Sequence, residues 1–215
     1  MYLKEDIYVF EPVLREISFI SYLFRKIEWL GYKHNSQHPP NAKSDIPSNI
    51  NIKNYIQLHL DEKWISGMYI NKYKDINPGY YEFIEFINNI SLRENLVITT
   101  GIINFKLIDD LKEKYFIKVN NKIYEKSNGE NKIYLVFKPT FQDLESLLRT
   151  AKILISCHGA ITHAAGSLNV KILDIIDENS KNWYQRYTSH IKNYNFIFRN
   201  KFSEIKEIIP KKINL

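Results

Sequence analysis

The chain has 215 residues, of which 44% are hydrophobic and 14% aromatic, enough apolar material to bury a large core and to exclude disorder throughout. Lysines and arginines number 30 against 24 acidic residues, which gives a net charge of +6, but no block of five or more like charges occurs. This balance weakly favours an anionic ligand or a membrane surface. Nucleic-acid binding would rest on the charge and the aromatic content alone and is not expected.

Cysteine usage and hydropathy point to a compartment. Cys157 is the single cysteine, which excludes an intrachain disulfide and a zinc site built from thiolates and favours a reducing environment. The first 19 residues mix charges with apolar residues, and no stretch approaches eighteen uncharged apolar residues, so neither a signal peptide nor a membrane span is expected. We therefore expect a cytoplasmic protein with at most peripheral contact at the inner face of the membrane.

The first predicted element is an amphipathic helix over residues 12–30. Its apolar residues recur at steps of three and four, and Gly31 supplies a C-terminal stop. Residues 32–53 hold three of the seven prolines, many Asn and Ser, and no periodicity, which predicts a linker. The sequence is thus divided into an N-terminal helical appendage, residues 1–50, and a main domain, residues 51–215.

Short apolar runs alternate with helical patterns after the linker. The strand candidates are 55–61, 95–101, 132–139, 152–157, 170–176 and 195–200. The helix candidates are 79–91, 104–116, 141–151, 160–168, 181–192 and 203–209. Nearly continuous apolar strands that alternate with helices predict an α/β fold, a doubly wound, Rossmann-like parallel sheet covered by helices on both faces.

Two local signals refine this layout. Thr140, with Asp143 three residues later, is a capping-box variant that opens the helix after 140. Residues 120–132 contain Asn128 and Gly129, which predict either a hairpin or a surface loop.

The segment ILISCHGAITHAAGSL, residues 153–168, follows a predicted strand and carries the main candidate site. In open α/β sheets ligands gather at the carboxyl ends of strands, where helix N-termini offer free amides. Gly159 would let a phosphate approach the backbone, the helix from Ala160 would present its first amides, and His158, Thr162 and His163 would add donors. The alternative is a small-residue turn that serves only close helix packing. A metal site is not expected, because His158 and His163 are five residues apart and no carboxylate follows at a ligand spacing.

Two further strand ends carry candidates. Lys63 could supply a cation to a phosphate and Trp64 a flat apolar wall, or the pair could be a surface lysine beside a packing tryptophan. Asp177 could accept hydrogen bonds from sugar hydroxyls, or it could cap the helix that begins near Ser180. His59, between two leucines on a strand, is as consistent with a half-buried histidine as with a functional one.

The order of elements over residues 55–200 resembles the C-terminal half of GT-B glycosyltransferases, above all the heptosyltransferase-like family 9. The resemblance is carried by the order in which predicted elements and sequence motifs follow one another. A first strand is followed by DEKW, a helix, the segment NLVITTG, a second helix and a further strand. The segment TFQDLESLLRTAKILISCHGAITHAAGSLNVKILDII then follows. In that family a basic residue and an aromatic residue follow the first strand of the domain. Lys63 and Trp64 occupy the corresponding positions in this sequence.

A later signature of that family, Asp-Thr-Gly-x-x-His-x-Ala-Ala, is matched in part. The matching residues are Gly159, His163, Ala164 and Ala165. Cys157 and His158 stand where the family has Asp and Thr, and one extra residue separates Gly159 from His163. The string HGAITH is also similar to the His-Gly-Ala-x-x-Thr motif of family-61 type transferases, so the superfamily is better supported than the family.

The resemblance implies a nucleotide-sugar donor whose diphosphate lies near Gly159 and His163. Lys63 and a histidine would stabilise the leaving diphosphate without a bound metal, so no cofactor is expected. The acceptor would be a glycan or a lipid-linked, lipopolysaccharide-type molecule. The general base usually comes from an N-terminal domain that residues 1–50 largely lack. The resemblance therefore implies either that the chain is a fragment or split protein, or that it acts with a complementing N-terminal domain or subunit.

A non-catalytic module that keeps the half-fold and binds a nucleotide sugar or a glycan is the alternative function. It is motivated by the missing N-terminal half and by Cys157 at the position of the family's Asp.

Overall fold

The structure is a computed structural model that describes residues 50, 52–65 and 76–214. Within them lie eight strands, all in one sheet. The strands are β1 (Tyr55–Leu60), β2 (Leu96–Thr100), β3 (Ile117–Lys118), β4 (Ile123–Asn128), β5 (Asn131–Val136), β6 (Ala151–Cys157), β7 (Lys171–Ile176) and β8 (Tyr194–Phe198). The helices between and after them are α1 (Tyr80–Ser91), α2 (Lys106–Lys114), α3 (Phe141–Leu148), α4 (Ala160–Ser167), α5 (Lys181–Thr188) and α6 (Phe202–Lys212).

The sheet has the strand order β3-β4-β5-β2-β1-β6-β7-β8. Every neighbouring pair from β5 across to β8 is parallel, as the apolar strand pattern predicts. Within the described residues, antiparallel pairing is confined to the β3-β4-β5 edge. Of the two alternatives for residues 120–132, the hairpin is observed, between β4 and β5, with Gly129 at a φ of 62°. The apolar pattern does not predict β4, because only its first two residues are buried.

Helices cover both faces, because alternate side chains of each strand point to opposite sides. Ile56, Leu58 and Leu60 of β1 belong to one core with Phe86 of α1, Leu111 of α2 and Phe202 of α6. Tyr55 belongs to a second core with Leu147 of α3, and β6, β7 and α4 form a third. The doubly wound α/β architecture is confirmed.

The predicted capping box is confirmed. Thr140 and Asp143 form it at the start of α3. The predicted N-terminal helix and linker lie outside the described residues, apart from Ile50 and residues 52 and 53. Within the described part of the chain, no helix has the length and apolar character needed to cross a bilayer.

The strands formed before and after the β5–β6 connection lie on opposite sides of β1. Strands β2 to β5 lie on one side of β1, and the chain then crosses over so that β6, β7 and β8 lie on the other side. The loops after β1 and β6 consequently leave the sheet in opposite directions and open a crevice between them. In open α/β sheets this switch point is where ligands bind.

Candidate functional site

A pocket of about 920 Å³ lies at this crevice, at the carboxyl ends of β1, β6, β7 and β8. Its polar lining residues are Glu62, Lys63, His158, Gly159, His163, Asp177, Asn179, Ser180, Asn182 and Arg199. Ala160, Trp183 and Tyr184 complete the wall on the helix side. The pocket therefore unites three chain segments that are each predicted separately from sequence, after β1, β6 and β7, and a fourth after β8.

Lys63 lies on a single 3₁₀ turn, Glu62–Trp64, directly after β1. Asp61 caps this turn by accepting a hydrogen bond from the Lys63 amide at 3.2 Å, and its carboxylate also accepts from Lys63 Nζ at 2.9 Å. Burial opposes the ammonium charge, but the attraction and hydrogen bond of Asp61 outweigh it and raise the pKa of Lys63. The local fold thus holds a charged lysine at the pocket.

Gly159 lies two residues after the end of β6 and is the N-cap of α4. The Thr162 hydroxyl accepts a hydrogen bond from the Gly159 amide at 3.2 Å, and the Gly159 carbonyl accepts from the Thr162 amide at 3.0 Å. The next two amides, at Ala160 and Ile161, belong to the first turn and have no carbonyl partner within α4. They give this wall of the pocket a partial positive charge.

The lysine and the helix terminus meet at one point. A Cβ added to Gly159 would lie 2.5 Å from Lys63 Nζ, so the glycine leaves the space that the ammonium occupies. The φ of Gly159 is −178°, extended backbone that any residue adopts, so the glycine is required for close approach and not for backbone conformation.

His158 is held by a buried carboxylate. Its Nδ1 lies 2.8 Å from Asp174 Oδ2, and Asp174 has no exposed surface. Ser156 and Thr162 donate to the other carboxylate oxygen at 2.8 and 3.0 Å. Because Ser156 and Asp174 are register partners on β6 and β7, this network follows directly from strand pairing.

His163 lies on α4, beside the dyad formed by His158 and Asp174. Its pKa is lowered to about 4, first by burial and then by the neighbouring His158 and His190. The His163 and His190 rings stack at a centroid distance of 5.8 Å. His163 Nδ1 is buried without a hydrogen-bond partner among the described residues. At neutral pH His163 is an uncharged group of the pocket wall.

Arg199 follows β8 and is missed by sequence reasoning, which places it only at the end of the strand candidate 195–200. It is 4% exposed, and it donates through Nη1 to Cys157 Sγ at 3.4 Å and through Nη2 to the Lys63 carbonyl. It therefore joins the turn after β1 to the end of β6 and adds a second cation to the pocket. The available signal is an arginine directly after an apolar strand.

Cys157 occupies the end of β6 with 1% of its surface exposed. Burial raises the pKa of its thiol to about 12, although Arg199 partly opposes this. The thiol is therefore protonated at neutral pH and is not a nucleophile.

An aromatic wall and a carboxylate complete the pocket. The wall is formed by Trp183 and Tyr184 of α5, whose ring centroids lie 5.1 Å apart, and Trp183 is 49% exposed. Asp177 precedes the short 3₁₀ turn Glu178–Ser180, but its side chain makes no capping hydrogen bond, so the alternative role as a helix cap is not observed. Its carboxylate lines the pocket instead.

The predicted site residues divide into two groups. Those that line the pocket are Lys63, His158, Gly159, Ala160, His163 and Asp177. Trp64 and Thr162 do not, since both are fully buried. Trp64 packs against Phe202 and donates from Nε1 to the His59 carbonyl at 2.9 Å, so of its two alternatives the packing tryptophan is observed and the ligand wall is not. Thr162 acts within the protein on Gly159 and Asp174.

His59 is also internal. It is 7% exposed, and its Nδ1 lies 3.0 Å from Thr99 Oγ1. Burial lowers its pKa, so it is a neutral histidine of the sheet. No group of three or more His, Cys, Asp or Glu side chains in residues 50, 52–65 and 76–214 is placed to hold a metal ion.

Comparison with known proteins gives structural likeness only. No protein-family model and no curated protein sequence matches the chain. The glycosyltransferase SnogD from Streptomyces nogalater is 15% identical over 74% of this chain and 33% of its own, with a TM-score of 0.36. The UDP-GlcNAc 2-epimerase of Methanocaldococcus jannaschii, in complex with UDP-GlcNAc and UDP, is 16% identical over 80% and 42%, with a TM-score of 0.46.

The E. coli heptosyltransferase WaaC with ADP is 11% identical over 87% of this chain and 53% of its own, with a TM-score of 0.43. The chain thus spans between a third and about half of the length of these proteins. At such identities and TM-scores the function has to be argued from the site residues of the chain itself.

Proposed function

We propose that this pocket binds the diphosphate of a nucleotide-sugar donor, and that the chain is the donor-binding part of a glycosyltransferase that acts on a glycan or lipid-linked acceptor. One observation carries the binding proposal: Lys63 Nζ lies directly at the N-cap of α4, in the space left by Gly159. A lysine ammonium and a helix N-terminus that converge at a switch-point crevice form an anion site.

Each part of the pocket has a role in this proposal. Lys63 and the first amides of α4 contact the diphosphate and stabilise the charge that develops on it as the sugar leaves. Arg199 holds the Lys63 turn and adds positive potential. Asp177 accepts hydrogen bonds from sugar hydroxyls, and His163 contributes as an uncharged donor. With two cations and a helix terminus present, the leaving group needs no bound metal.

Calorimetric titration with UDP, GDP, ADP and CDP, and with sugar derivatives of each, tests the proposal. At least one nucleoside diphosphate is expected to bind, and Lys63→Ala and His163→Ala are each expected to weaken that binding. Lys114→Ala is the matched control, because Lys114 is an exposed lysine on α2 whose removal changes the net charge equally. No binding of any of these ligands to the wild-type chain, alone or with a complementing N-terminal domain, would refute the proposal.

The affinities of these three variants show whether the pocket is the diphosphate site. If Lys63→Ala and His163→Ala both bind like the wild type, the diphosphate site is elsewhere. If Lys114→Ala weakens binding as much as Lys63→Ala, the effect is one of net charge and not of the pocket.

A non-catalytic binding module is the second candidate. It is favoured by Cys157, a buried and protonated thiol at the position where the family-9 signature has an Asp. Release of nucleoside diphosphate from a bound nucleotide sugar, followed by chromatography, separates the two candidates. Binding without any release, in the presence of glycan acceptors and a complementing domain, supports the module.

A further inference from the structure

His158 differs from the other described histidines in what it contacts. His59 is buried within the sheet and His163 and His190 stack on each other, and burial lowers the pKa of all three. His158 alone among the four has a carboxylate within hydrogen-bond distance of a ring nitrogen. It also lines the pocket.

The carboxylate determines which nitrogen of the imidazole faces Asp174 and which one faces the pocket. Asp174 Oδ2 accepts from the protonated Nδ1, because a carboxylate without a proton is only an acceptor. Ser156 and Thr162 hold Oδ1 of the same carboxylate, so its plane cannot rotate freely. Nε2 makes no hydrogen bond with a described residue, so it is left for the pocket. This is the arrangement in which a carboxylate sets the tautomer and orientation of a histidine.

The packing around the ring supports a fixed orientation. The Tyr184 ring lies edge-on at a centroid distance of 4.8 Å and the His163 ring at 5.3 Å. The titratable and charged groups that contact His158 or share its pocket are Glu62, Lys63, Cys157, His163, Asp174, Asp177, Tyr184 and Arg199. Among them Asp174 alone is within hydrogen-bond distance of the ring.

We propose that His158 contacts the diphosphate through Nε2–H in its doubly protonated form, and that Asp174 is the positioning residue that holds Nδ1–H and aims Nε2 into the pocket. This inference rests on the proposed function and deepens it, since it assigns the pH-dependent contact of the same site. It gives His158, and not His163, the charged role at the diphosphate.

Substitutions that mimic one ring nitrogen at a time test the contact. His158→Asn retains a group near Nδ1 and removes the one at Nε2, so the Kd for the nucleoside diphosphate is expected to rise about tenfold or more. His158→Gln places an amide near Nε2 that does not titrate, so it is expected to restore part of the binding at pH 8. Equal Kd values for the wild type and both variants overturn the inference.

The pH dependence supplies a readout that a structural role would not change. Between pH 8 and pH 6 the wild type is expected to gain more affinity than His158→Gln, because only the wild type can add a proton at this position. The ligand phosphate also titrates in this range, but it does so equally for both proteins, so the ratio of the two Kd changes isolates His158. Identical pH profiles overturn the inference.

Imidazole nitrogen chemical shifts of the wild-type protein test the role of Asp174 without any substitution. Nδ1 of His158 is expected to be protonated at pH 6 and at pH 8, and an unprotonated Nδ1 overturns the assignment. Asp174→Asn is expected to reduce the pH dependence, with circular dichroism as the check on folding. If it does not fold, Ser156→Ala, which removes one of the two hydroxyls that hold Oδ1, is expected to fold and to reduce the pH dependence of binding in the same direction. A folded Ser156→Ala chain with the pH profile of the wild type overturns the positioning role.

A failure of this inference is distinguishable from a failure of the proposed function. If the wild type binds no nucleoside diphosphate, the proposed function fails. If the wild type binds and the two His158 variants match it at both pH values, the proposed function stands and the dyad has no part in binding.

Discussion

Replacing Gly159 by alanine separates the ligand role of this turn from its packing role. The added Cβ would lie 2.5 Å from Lys63 Nζ, whereas ordinary contact begins at 3.4 Å, so the ammonium has to move by about 0.9 Å. Lysine is flexible, and the backbone at Gly159 is extended, so the chain is expected to fold normally. The displacement therefore acts on the position of one cation.

The expected loss of affinity follows from Coulomb's law. At an effective dielectric constant of about 20, moving a unit charge from about 3 Å to about 4 Å from an anionic oxygen costs about 1.4 kcal/mol, which is about tenfold in Kd. Gly159→Ala is thus expected to weaken nucleoside diphosphate binding about tenfold, with little change in melting temperature. In the Lys63→Ala background the same substitution is expected to have almost no effect, because the displaced group is absent.

Gly79→Ala is the matched control. Gly79 is also the N-cap of a helix, with extended backbone and no side-chain capping bond, but an added Cβ would meet nothing within 4 Å. Calorimetry on the four variants and the wild type gives the double-mutant cycle. If Gly159→Ala folds and binds like the wild type, or if its effect adds fully to that of Lys63→Ala, the ammonium does not contact the ligand from this position.

Three further predictions concern stability and reactivity. Trp64→Ala is expected to lower the free energy of unfolding by about 3–5 kcal/mol in urea denaturation, because it empties a fully buried site; a change below about 1 kcal/mol would contradict its core position. Cys157 is expected to resist a disulfide reagent at pH 8 until urea unfolds the chain, because its thiol pKa is about 12; rapid labelling of the folded protein would contradict this. The free energy of unfolding is expected to fall as the pH drops from about 6.5 to about 4, because the pKa of His163 is about 4 in the folded chain against an ordinary histidine value of 6.5, so the unfolded chain binds the proton first. Thermal melts of His163→Gln should show a smaller decline over that range, and an unchanged decline would exclude His163 as its source.

Local pattern is sufficient to predict most of the elements. It places six of the strands and all six helices of the described residues to within a few residues, because apolar runs and three-to-four periodicity record which face of each element is buried. It does not predict β3 or β4, because β3 is a short edge strand with exposed side chains and only the first two residues of β4 are buried. Trp64 is ambiguous for a related reason, because adjacency to a lysine does not tell which way a side chain points.

The candidate site shows the same division. Gly159, His158 and Lys63 can be singled out from sequence, because glycine, histidine and lysine at strand ends have distinctive chemistry. The sequence does not show that Asp174, in the middle of an apolar strand, contacts His158, nor that Arg199 reaches the Lys63 carbonyl. Both contacts depend on register and strand order, which bring together residues 16 and 136 positions apart along the chain.

The primary structure therefore specifies the elements and the residue types at each strand end, because burial and turn chemistry are local properties. Strand order, and with it the crevice between β1 and β6, arises when distant segments pair. In the proposed anion site, Lys63 lies beside a helix terminus and a second cation only because the sheet brings them together. The charge and contacts that we assign to the pocket are for this reason properties of the folded chain and not of any one segment.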